Sequence, residues 1–426
     1  MSAIGAQQTR ASRRLVPPLE HRMLVTATFC LLAYGAVMVY SASSSESVIS
    51  NGGYGTKEFF MYLVAAAIGL GVMKFAEGRG LALLKSERLV RGMLIAAFTL
   101  TLLVLVPHIG IEVNGARRWF GAGPIQFQPS ELMKISLVLY AARYLADNER
   151  RLERSFKVAC APLGVVIAPA CLLIVIEPDL GTTLVVFFTM MAMLLAAGLP
   201  SQYLWRILGG AVVLGALFIA THPYQLARLD AFMHPFAVAS GNGYQTVQGQ
   251  YAIGSGGFFG LGLGKGVQQA FWLPEAQTDF ILAVIGEQLG VLGIGAILLL
   301  YGLIAYAGMR TARRATSRYN KLLAAGLTSL ILCQGLLNIF VVLGIAPLTG
   351  VPLPFISYAP TNLIVMLGAV GLLMGIARPT AKRLWLVDDD PGLPFEEASY
   401  EADRDRHRRD RRARRASAGR SGRAAG

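Results

Sequence analysis

The chain has 426 residues, of which 54% are hydrophobic and only 15% are charged. Its apolar residues recur in blocks near the roughly 20 residues that cross a bilayer, which predicts a polytopic membrane protein. The net charge of +14 could suggest nucleic acid binding, but 10 of the 39 Lys and Arg residues follow Arg383 and most others flank apolar blocks. That distribution fits a membrane surface, so no nucleic acid partner is expected.

The apolar runs do not alternate with a period of two, so they predict helices and an all-α polytopic fold. Ten transmembrane helices are predicted, at roughly residues 23–42, 58–76, 90–107, 131–147, 157–175, 180–198, 204–221, 279–308, 322–344 and 358–378. With the N-terminus inside, 33 Lys and Arg residues fall in inside segments and 6 in outside segments. Because basic residues stay on the cytoplasmic side, both termini are predicted to be cytoplasmic.

The predicted organisation has three parts. Residues 1–22 form a basic cytoplasmic segment that is retained, because no small-residue cleavage site follows it. Residues 23–380 form the ten-helix membrane domain, with two unusually long extracellular connections at 108–130 and 222–278. Residues 388–426, acidic and then strongly basic, are predicted to be a disordered cytoplasmic tail that lies on anionic membrane lipids or docks a partner.

The first outer connection carries two adjacent cations, Arg117 and Arg118. Arginine can donate two hydrogen bonds to diphosphate oxygens. Anchoring to lipid headgroups is an alternative role with equal support from the sequence. Next to it, Ser130 is predicted to cap helix four, with Glu131 in the first turn. Glu131 and Lys134 are three residues apart, so they are expected on one helix face, where they can pair with each other.

Three further segments have distinctive local patterns. Asp179 follows a Glu-Pro pair and is predicted to cap the sixth helix. The glycine-rich run 254–266 lacks the spacing of a phosphate-binding loop, so it predicts a flexible or tightly turned loop. The run 347–360 contains too many prolines for a regular helix and is predicted to be extended or re-entrant, lining a cavity.

An acid lies where the second outer connection enters the eighth span. Asp279 could cap that helix, or it could be a partly desolvated general base with a raised pKa. Glu287 lies about 12 Å deeper and is expected to be a hydrogen-bonded packing acid more readily than a catalytic one. Gly286 and Gly290 are four residues apart, so they should let another helix approach that face closely.

Several of these runs together resemble the SEDS family of shape, elongation, division and sporulation proteins, which includes FtsW and RodA. The matching runs appear in family order as NGARRW at 114–119, QPSELMK at 128–134, EPDLGTT at 177–183, the glycine segment at 252–264, LPEAQTDFILAVIGEQLG at 273–290 and PLTGVPLPFISY at 347–358. The sequence Ile285-Gly286-Glu287 is more similar to the FtsW branch than to the RodA branch.

The resemblance implies an inverting peptidoglycan glycosyltransferase of the bacterial cytoplasmic membrane. It would polymerise lipid II, the undecaprenyl-pyrophosphate-linked precursor, at the outer face, with Asp279 as general base. A class B penicillin-binding transpeptidase and other division proteins are the implied partners, and a divalent cation such as Mg²⁺ is a candidate cofactor. Asp179 and Glu287 are assigned structural support, and the candidate substrate- or pyrophosphate-binding residues are Arg117, Arg118, Glu131, Lys134, Gln250 and Ser357.

This chain departs from the family pattern at two places. Gln277 stands where a histidine is common, and Ala359-Pro360 replaces a pair of glycines. A flippase or transporter for the same lipid is the alternative function, because ten helices and the intramembrane Glu287 would suit it too. A scaffold that recruits partners through its tail would explain only the tail. Elongation and sporulation are alternatives to division.

Overall fold

The computed structural model describes most of the membrane domain. Its described residues are 18–50, 56–113, 116–122, 125–149, 156–241, 243–268 and 272–378. The predicted tail at 388–426 and residues 1–17 of the basic N-terminal segment lie outside them. The residues described between Leu19 and Ala377 belong to one compact unit.

Every predicted span coincides with an observed helix. Twelve helices are described here as α1 Leu19–Ser50, α2 Thr56–Phe75, α3 Glu87–Val104, α4 Pro129–Asp147, α5 Phe156–Ile176, α6 Leu180–Ala196, α7 Ser201–Thr221, α8 Pro223–Met233, α9 Tyr244–Gly256, α10 Ile281–Arg314, α11 Arg318–Val342 and α12 Pro360–Ala377. A π-helical turn, Ala76–Gly80, and a short helical turn, Leu81–Leu83, follow α2. Within the described ranges, six helices are long and apolar enough to cross a membrane, and two apolar helices are shorter. The protein is therefore an all-α polytopic membrane protein.

Helices from both ends of the chain share one core. α12 packs against α2, and α1 packs against α10. α11 lies near the centre, because it contacts α10, α6, α4 and α12. Its buried face includes the polar residues Gln334 and Asn338, which an apolar membrane helix carries only at a cost. These two positions prove to be central to the candidate site.

The first outer connection is a small antiparallel sheet. Its strands are β1 Ile111–Val113, β2 Ala116–Ala122 and β3 Ile125–Phe127, in the order β1-β2-β3. Glu112 is opposite Arg117, so the two side chains form an ion pair with a distance of 2.9 Å. α4 then begins at Pro129 with Gln128 as N-cap residue and no side-chain cap. The predicted Ser130 cap is wrong, because Ser130 lies inside the first turn.

The second outer connection is largely structured. It contains α8 and α9, and the glycine-rich run docks against α10 where that helix breaks at Gly290, whose φ is 65°. Leu261 N donates to the Glu287 carbonyl at 3.0 Å, and Val291 N donates to the Gly257 carbonyl at 3.1 Å. A Cβ on Gly290 would lie 2.5 Å from Gly260 N, so glycine is required there. The run is thus tightly turned and approaches Gly290, whereas helix α9 approaches Gly286 as predicted, because a Cβ on Gly286 would lie 3.0 Å from Ile253.

The proline-rich run between α11 and α12 is non-helical, as predicted. Side chains from four helices donate hydrogen bonds to its carbonyl oxygens. These pairs are Arg228 to Leu348 (3.3 Å), Asn338 to Val351 (2.8 Å), Gln334 to Pro352 (2.9 Å), Tyr301 to Pro354 (2.6 Å) and Tyr62 to Phe355 (2.6 Å). The run, residues 347–358, is called the clamped segment below. Its backbone groups find partners that a helix would otherwise supply.

Candidate functional site

Asp279 lies at the mouth of α10 but does not cap it. The helix begins at Ile281 with Phe280 as N-cap residue and no side-chain cap, so the predicted capping role is wrong. The carboxylate instead receives two long contacts from other side chains. Its Oδ1 is 3.3 Å from Thr278 Oγ1 and 3.5 Å from Gln245 Nε2, the latter on α9. A carboxylate held this loosely keeps acceptor capacity for another proton donor.

The surroundings of Asp279 shift its titration. The pKa of Asp279 is raised from 3.8 to about 7. Burial is the main cause, and the nearby Glu275 carboxylate raises the pKa further. Its own backbone amide, the Thr278 hydroxyl and the Arg228 cation act in the opposite direction and lower it. A carboxylate with a pKa near neutral can accept a proton at physiological pH and pass it on, which is what a general base needs.

The backbone of Asp279 is tied to the clamped segment by one side chain. Asn338 Nδ2 donates to the Asp279 carbonyl at 2.7 Å and to the Val351 carbonyl at 2.8 Å. On the other side, a Cβ added to Gly350 would lie 3.8 Å from Asp279 Oδ2. The amide of Asn338 therefore holds the acid against the turn at Gly350.

Glu131 and Lys134 lie inside the bundle, and each side chain is at most 2% exposed. Lys134 Nζ is 2.8 Å from Glu131 Oε1, which confirms the predicted pair, and it donates to Gln334 Oε1 at 2.6 Å. Asn362 Nδ2 donates to Glu131 Oε2 at 2.8 Å. We call Glu131, Lys134, Gln334 and Asn362 the Lys134 network. Through Gln334, it reaches the Pro352 carbonyl of the clamped segment.

Arg117 and Arg118, which were predicted to bind substrate, make contacts with different parts of the protein. Arg117 pairs with Glu112 within the sheet. Arg118 donates through Nε to the Glu177 carbonyl at 2.8 Å and through Nη2 to the Pro178 carbonyl. It thus fastens the sheet to the turn before α6. Binding of substrate by either arginine stays a prediction.

The turn before α6 confirms one prediction and adds a buried acid. Asp179 caps α6, because its Oδ1 accepts from Thr182 N at 2.9 Å. Glu177 is fully buried, and its carboxylate oxygens have no hydrogen-bond partner among the described residues. Burial, followed by the Asp179 charge, raises the pKa of Glu177 to about 9, whereas Arg118 lowers it. Glu177 is therefore protonated at neutral pH.

The remaining predicted residues also make contacts within the protein. Glu287 Oε1 accepts from Val267 N at 2.7 Å and Gln268 N at 3.0 Å, so it supports the glycine-rich loop rather than a helix pair. Ser357 Oγ accepts from Leu353 N at 2.8 Å inside the clamped segment. Gln250 lies on α9, and a Cβ on Gly344 would meet its Nε2 at 2.6 Å. Its substrate role, like that of Ser357, stays a prediction.

The two departures from the family pattern have different outcomes. Pro360 is the first residue of α12, where proline needs no hydrogen-bond partner and its φ suits the helix. The carbonyl of Gln277 accepts from Tyr358 N at 2.9 Å, which joins the mouth of α10 to the clamped segment. Nothing in the structure explains the choice of a glutamine side chain there.

Three residues that matter to the site were not assigned to it from the sequence, namely Arg228, Gln245 and Asn338. Arg228 was visible as one of the 6 basic residues outside. Asn338 lies four residues after Gln334 on an apolar helix, and this pattern marks a buried polar face. Gln245 carried no distinguishing signal, because only the folding of α9 over Phe280 brings it near Asp279.

A divalent cation needs several oxygen ligands grouped around it. Within the part of the chain that the structure describes, no three His, Cys, Asp or Glu side chains are grouped so that they could hold a metal ion. Among these described residues, Asp279 and Glu275 bring two carboxylates near the mouth of α10. Two carboxylates would need further ligands, such as substrate phosphates, to hold a divalent cation.

Comparison with known proteins gives a consistent result. The family model described as "Cell cycle protein", covering FtsW, RodA and SpoVE, matches residues 22–382. Stage V sporulation protein E of Bacillus subtilis is 35% identical over 84% of this chain and 96% of its own length. A protein named probable peptidoglycan glycosyltransferase FtsW from Halothiobacillus neapolitanus is 37% identical over 84% of this chain and 86% of its own.

Solved structures agree with these relatives. A chain from a structure described as "Structural coordination of polymerization and crosslinking by a peptidoglycan synthase complex" is 28% identical and gives a TM-score of 0.68 over 85% of this chain and 98% of its own. The rod shape determining protein RodA of Thermus thermophilus is 28% identical, with a TM-score of 0.61 over 85% and 97% of the two chains. The chain therefore belongs to the FtsW/RodA/SpoVE family of integral membrane cell cycle proteins, and it is an FtsW-like member.

Proposed function

We propose that this chain is a peptidoglycan glycosyltransferase that polymerises lipid II at the outer face of the cytoplasmic membrane, with Asp279 as the general base. The observation that carries the assignment is Asp279 itself, a loosely hydrogen-bonded acid at a helix mouth with a pKa of about 7. The names of the FtsW relatives support the reaction class.

The proposed step is an inverting displacement. The acceptor sugar hydroxyl on lipid II attacks the anomeric carbon of the lipid-linked growing glycan. As the new glycosidic C–O bond forms, the bond from that carbon to the pyrophosphate oxygen breaks, and the hydroxyl proton passes to Asp279. One base and stabilisation of the departing pyrophosphate are sufficient for this chemistry.

The arrangement around Asp279 supports this role. Asn338 fixes its backbone, while the contacts to its carboxylate are long. A rigid main chain with a weakly engaged carboxylate allows the acid to receive a proton without losing its position. The Lys134 network extends the same support, because Gln334 and Asn338 lie four residues apart on α11 and hold adjacent carbonyls.

The partners proposed for this chain are lipid II, a class B penicillin-binding transpeptidase and other division proteins. One similar structure comes from a complex described as coordinating polymerization and crosslinking, which supports a crosslinking partner. The FtsW names favour division, with elongation or sporulation as alternatives. A requirement for Mg²⁺ is still a prediction, and no step above depends on it.

We further propose that both termini are cytoplasmic. The excess of Lys and Arg in the predicted inside segments, 33 against 6, supports this topology. It places the mouth of α10 with Asp279 at the outer face. Single cysteines introduced at Lys57 and at Arg313 should label from opposite sides of sealed vesicles, and labelling from the same side would contradict the topology.

The test that separates the enzyme from a transporter uses two readouts on one preparation. Full-length protein with its cognate transpeptidase is reconstituted in vesicles with lipid II, and both glycan polymer and lipid II translocation are measured. We expect polymer from the wild type and none from Asp279→Asn. Translocation without polymer in the wild type would favour the flippase alternative.

A further inference from the structure

We propose that the tip of the second outer connection, residues 257–265, inserts into the outer leaflet of the bilayer and contacts lipid acyl chains. Residues 257–265 are called the glycine-rich tip below. Three features of the described residues carry the inference: the exposed side chains of the tip, the depth at which it docks on α10, and the pairing of its backbone. The proposed topology decides which leaflet the tip enters, and the contact is independent of the glycosyltransferase reaction.

The glycine-rich tip presents large apolar side chains on its surface. Four of its nine residues are of this kind, and all four are exposed: Phe258 (56%), Phe259 (77%), Leu261 (42%) and Leu263 (55%). The rings of Phe258 and Phe259 pack edge to face with their centroids 5.0 Å apart, so they form one wedge. Transfer of such side chains from water to apolar surroundings is favourable, and contiguous apolar patches mark interaction sites.

The glycine-rich tip docks where α10 leaves the hydrocarbon core. Arg310 marks the inner end of this span, because it pairs with Glu20 at 2.7 Å and donates to the Tyr306 hydroxyl at 2.7 Å, and Arg and Tyr are typical of membrane interfaces. Gly290 precedes Arg310 by 20 residues. That length is about 30 Å of helix, which equals the thickness of the hydrocarbon core. The kink at Gly290, against which the tip packs, therefore lies at the outer edge of that core.

The exposure of α10 changes at the same position. All eight residues at 281–288 are buried, so protein surrounds α10 above Gly290. Directly below it, Val291 and Leu292 are 54% and 52% exposed, as expected where an apolar helix meets lipid. Leu292 N donates to the Phe258 carbonyl at 3.4 Å. The tip therefore adjoins the first lipid-facing residues of α10.

The backbone of the glycine-rich tip is paired as a segment at the edge of hydrocarbon requires. Unpaired N–H groups are costly there, because no water replaces their partners. One turn of α10 accepts three of them, in the pairs Leu261 N to Glu287 O (3.0 Å), Gly262 N to Gln288 O (2.9 Å) and Gly264 N to Gln288 Oε1 (3.3 Å). A regular helix would use those two carbonyls for Val291 N and Leu292 N, which here donate to the tip. The kink at Gly290 thus allows the tip to lie against lipid.

Depth and chemistry select lipid as the occupant of this surface. Phe and Leu side chains favour the acyl region, whereas Lys265, exposed at the end of the tip, can extend its ammonium to the headgroup phosphates. The preceding helix, α9, carries Gln245, whose Nε2 is 3.5 Å from Asp279 Oδ1. Lipid contact at the tip therefore also holds α9 at a fixed depth beside the candidate base.

The collision accessibility of spin labels tests the contact directly. Full-length protein without its four native cysteines carries one nitroxide, at Phe259→Cys or Leu263→Cys, in vesicles of phosphatidylethanolamine and phosphatidylglycerol. Oxygen concentrates in hydrocarbon, whereas a neutral nickel chelate stays in water. Two control positions bracket the tip. Leu299→Cys lies nine residues below Gly290 at a side chain that is 63% exposed, and Glu275→Cys is exposed above the mouth of α10.

We expect the labels at Phe259 and Leu263 to collide with oxygen more often than with nickel, as the Leu299 label does. The Glu275 label should show the reverse. Nickel access at both tip positions equal to that at Glu275 would place the tip in water and overturn the inference. Access by neither reagent would show that a protein surface covers the tip, which also overturns it. Two labelled positions keep the test decisive if one variant does not fold.

A second measurement locates the tip within the leaflet. Phe259→Trp adds a fluorophore that bromine atoms on lipid chains quench on contact, and its signal is the difference from the wild type. Bromines near the glycerol end of the chains should quench it more strongly than bromines at the chain ends, because Gly290 lies at the edge of the core. The absence of quenching by both lipids, or the opposite order, would overturn the placement. Neither measurement includes polymerisation, so failure of the lipid contact is distinguishable from failure of the proposed reaction.

Discussion

The Asp279 site and the Lys134 network both contain an acid near the start of a helix, but they are built in opposite ways. The Glu131 and Lys134 side chains are at most 2% exposed and bonded at 2.6 to 2.8 Å. Asp279 is half-buried, and its carboxylate contacts measure 3.3 and 3.5 Å. Fully satisfied polar groups fix geometry, whereas a loosely held acid can still exchange a proton with a substrate.

α11 joins the two regions. Gln334 belongs to the Lys134 network and holds the Pro352 carbonyl, while Asn338, one turn away, holds Val351 and the backbone of Asp279. The buried Lys134 network therefore supports the Asp279 site through neighbouring carbonyls of the clamped segment. Variants in each region should consequently fail differently, either in chemistry or in stability.

The largest effect on rate is expected from Asp279→Asn. The amide has nearly the same shape but cannot accept the hydroxyl proton, so polymerisation should fall by about 10²–10⁴-fold. The unfolding temperature in detergent should stay close to that of the wild type, because Asp279 does not cap α10. A large drop in stability with little loss of rate would reverse the contrast between the two regions.

Lys134→Met should act chiefly on stability. It leaves Glu131 buried without its cation, which costs about 3–5 kcal/mol, and thermal unfolding of the purified protein measures the loss. The double variant Glu131→Gln with Lys134→Met should recover part of that stability, because no unpaired charge remains. Wild-type stability in Lys134→Met would contradict a stabilising role for the Glu131–Lys134 pair.

Asn338→Leu tests the connection between the regions. It keeps the branched shape of the side chain but removes the amide that holds Asp279 and Val351, so the base loses its fixed position. We expect polymerisation to fall about tenfold, with kcat affected more than KM. Adding Asn338→Leu to Asp279→Asn should cause little further loss, and additive losses would indicate that Asn338 acts independently of the base.

Glu275→Gln should give the smallest effect, a change in pH dependence. The Glu275 carboxylate raises the pKa of Asp279, so its removal lowers that pKa and the base form persists to lower pH. The acidic limb of the rate profile should move to lower pH with the maximal rate unchanged. Thr278→Val should move it to higher pH, because the Thr278 hydroxyl lowers the pKa. Shifts in the same direction for both variants would contradict the electrostatic account.

Sequence patterns predicted the helices better than the contacts of the site. Ten apolar runs coincide with ten helices, because crossing a bilayer demands that length and composition. Local signals also predicted the Asp179 cap and the pairing of Glu131 with Lys134. The Asp279 cap was wrong, because α10 begins two residues later, after a turn that includes the strained backbone of Glu275.

Contacts between distant segments could not be predicted in this way. Asn338 meets Asp279 across 59 residues, and Gln245 meets it across 34. Nothing in the spacing of α9 shows that it folds over the mouth of α10. Substrate binding by Arg118 stays a prediction, but no sequence pattern indicated that Arg118 holds carbonyls 59 and 60 residues away. Such partners depend on how helices cross, and apolar patterns do not determine that.

The most direct measurement is the pH dependence of kcat/KM for lipid II polymerisation by the full-length protein with its transpeptidase, from about pH 5 to pH 9. Because only ionised Asp279 can accept the proton, and its pKa is about 7, the rate should rise tenfold per pH unit below that value and level off above it. A rate that stays constant across this range in the wild type, or an identical acidic limb at comparable rate in Asp279→Asn, would contradict Asp279 as the general base.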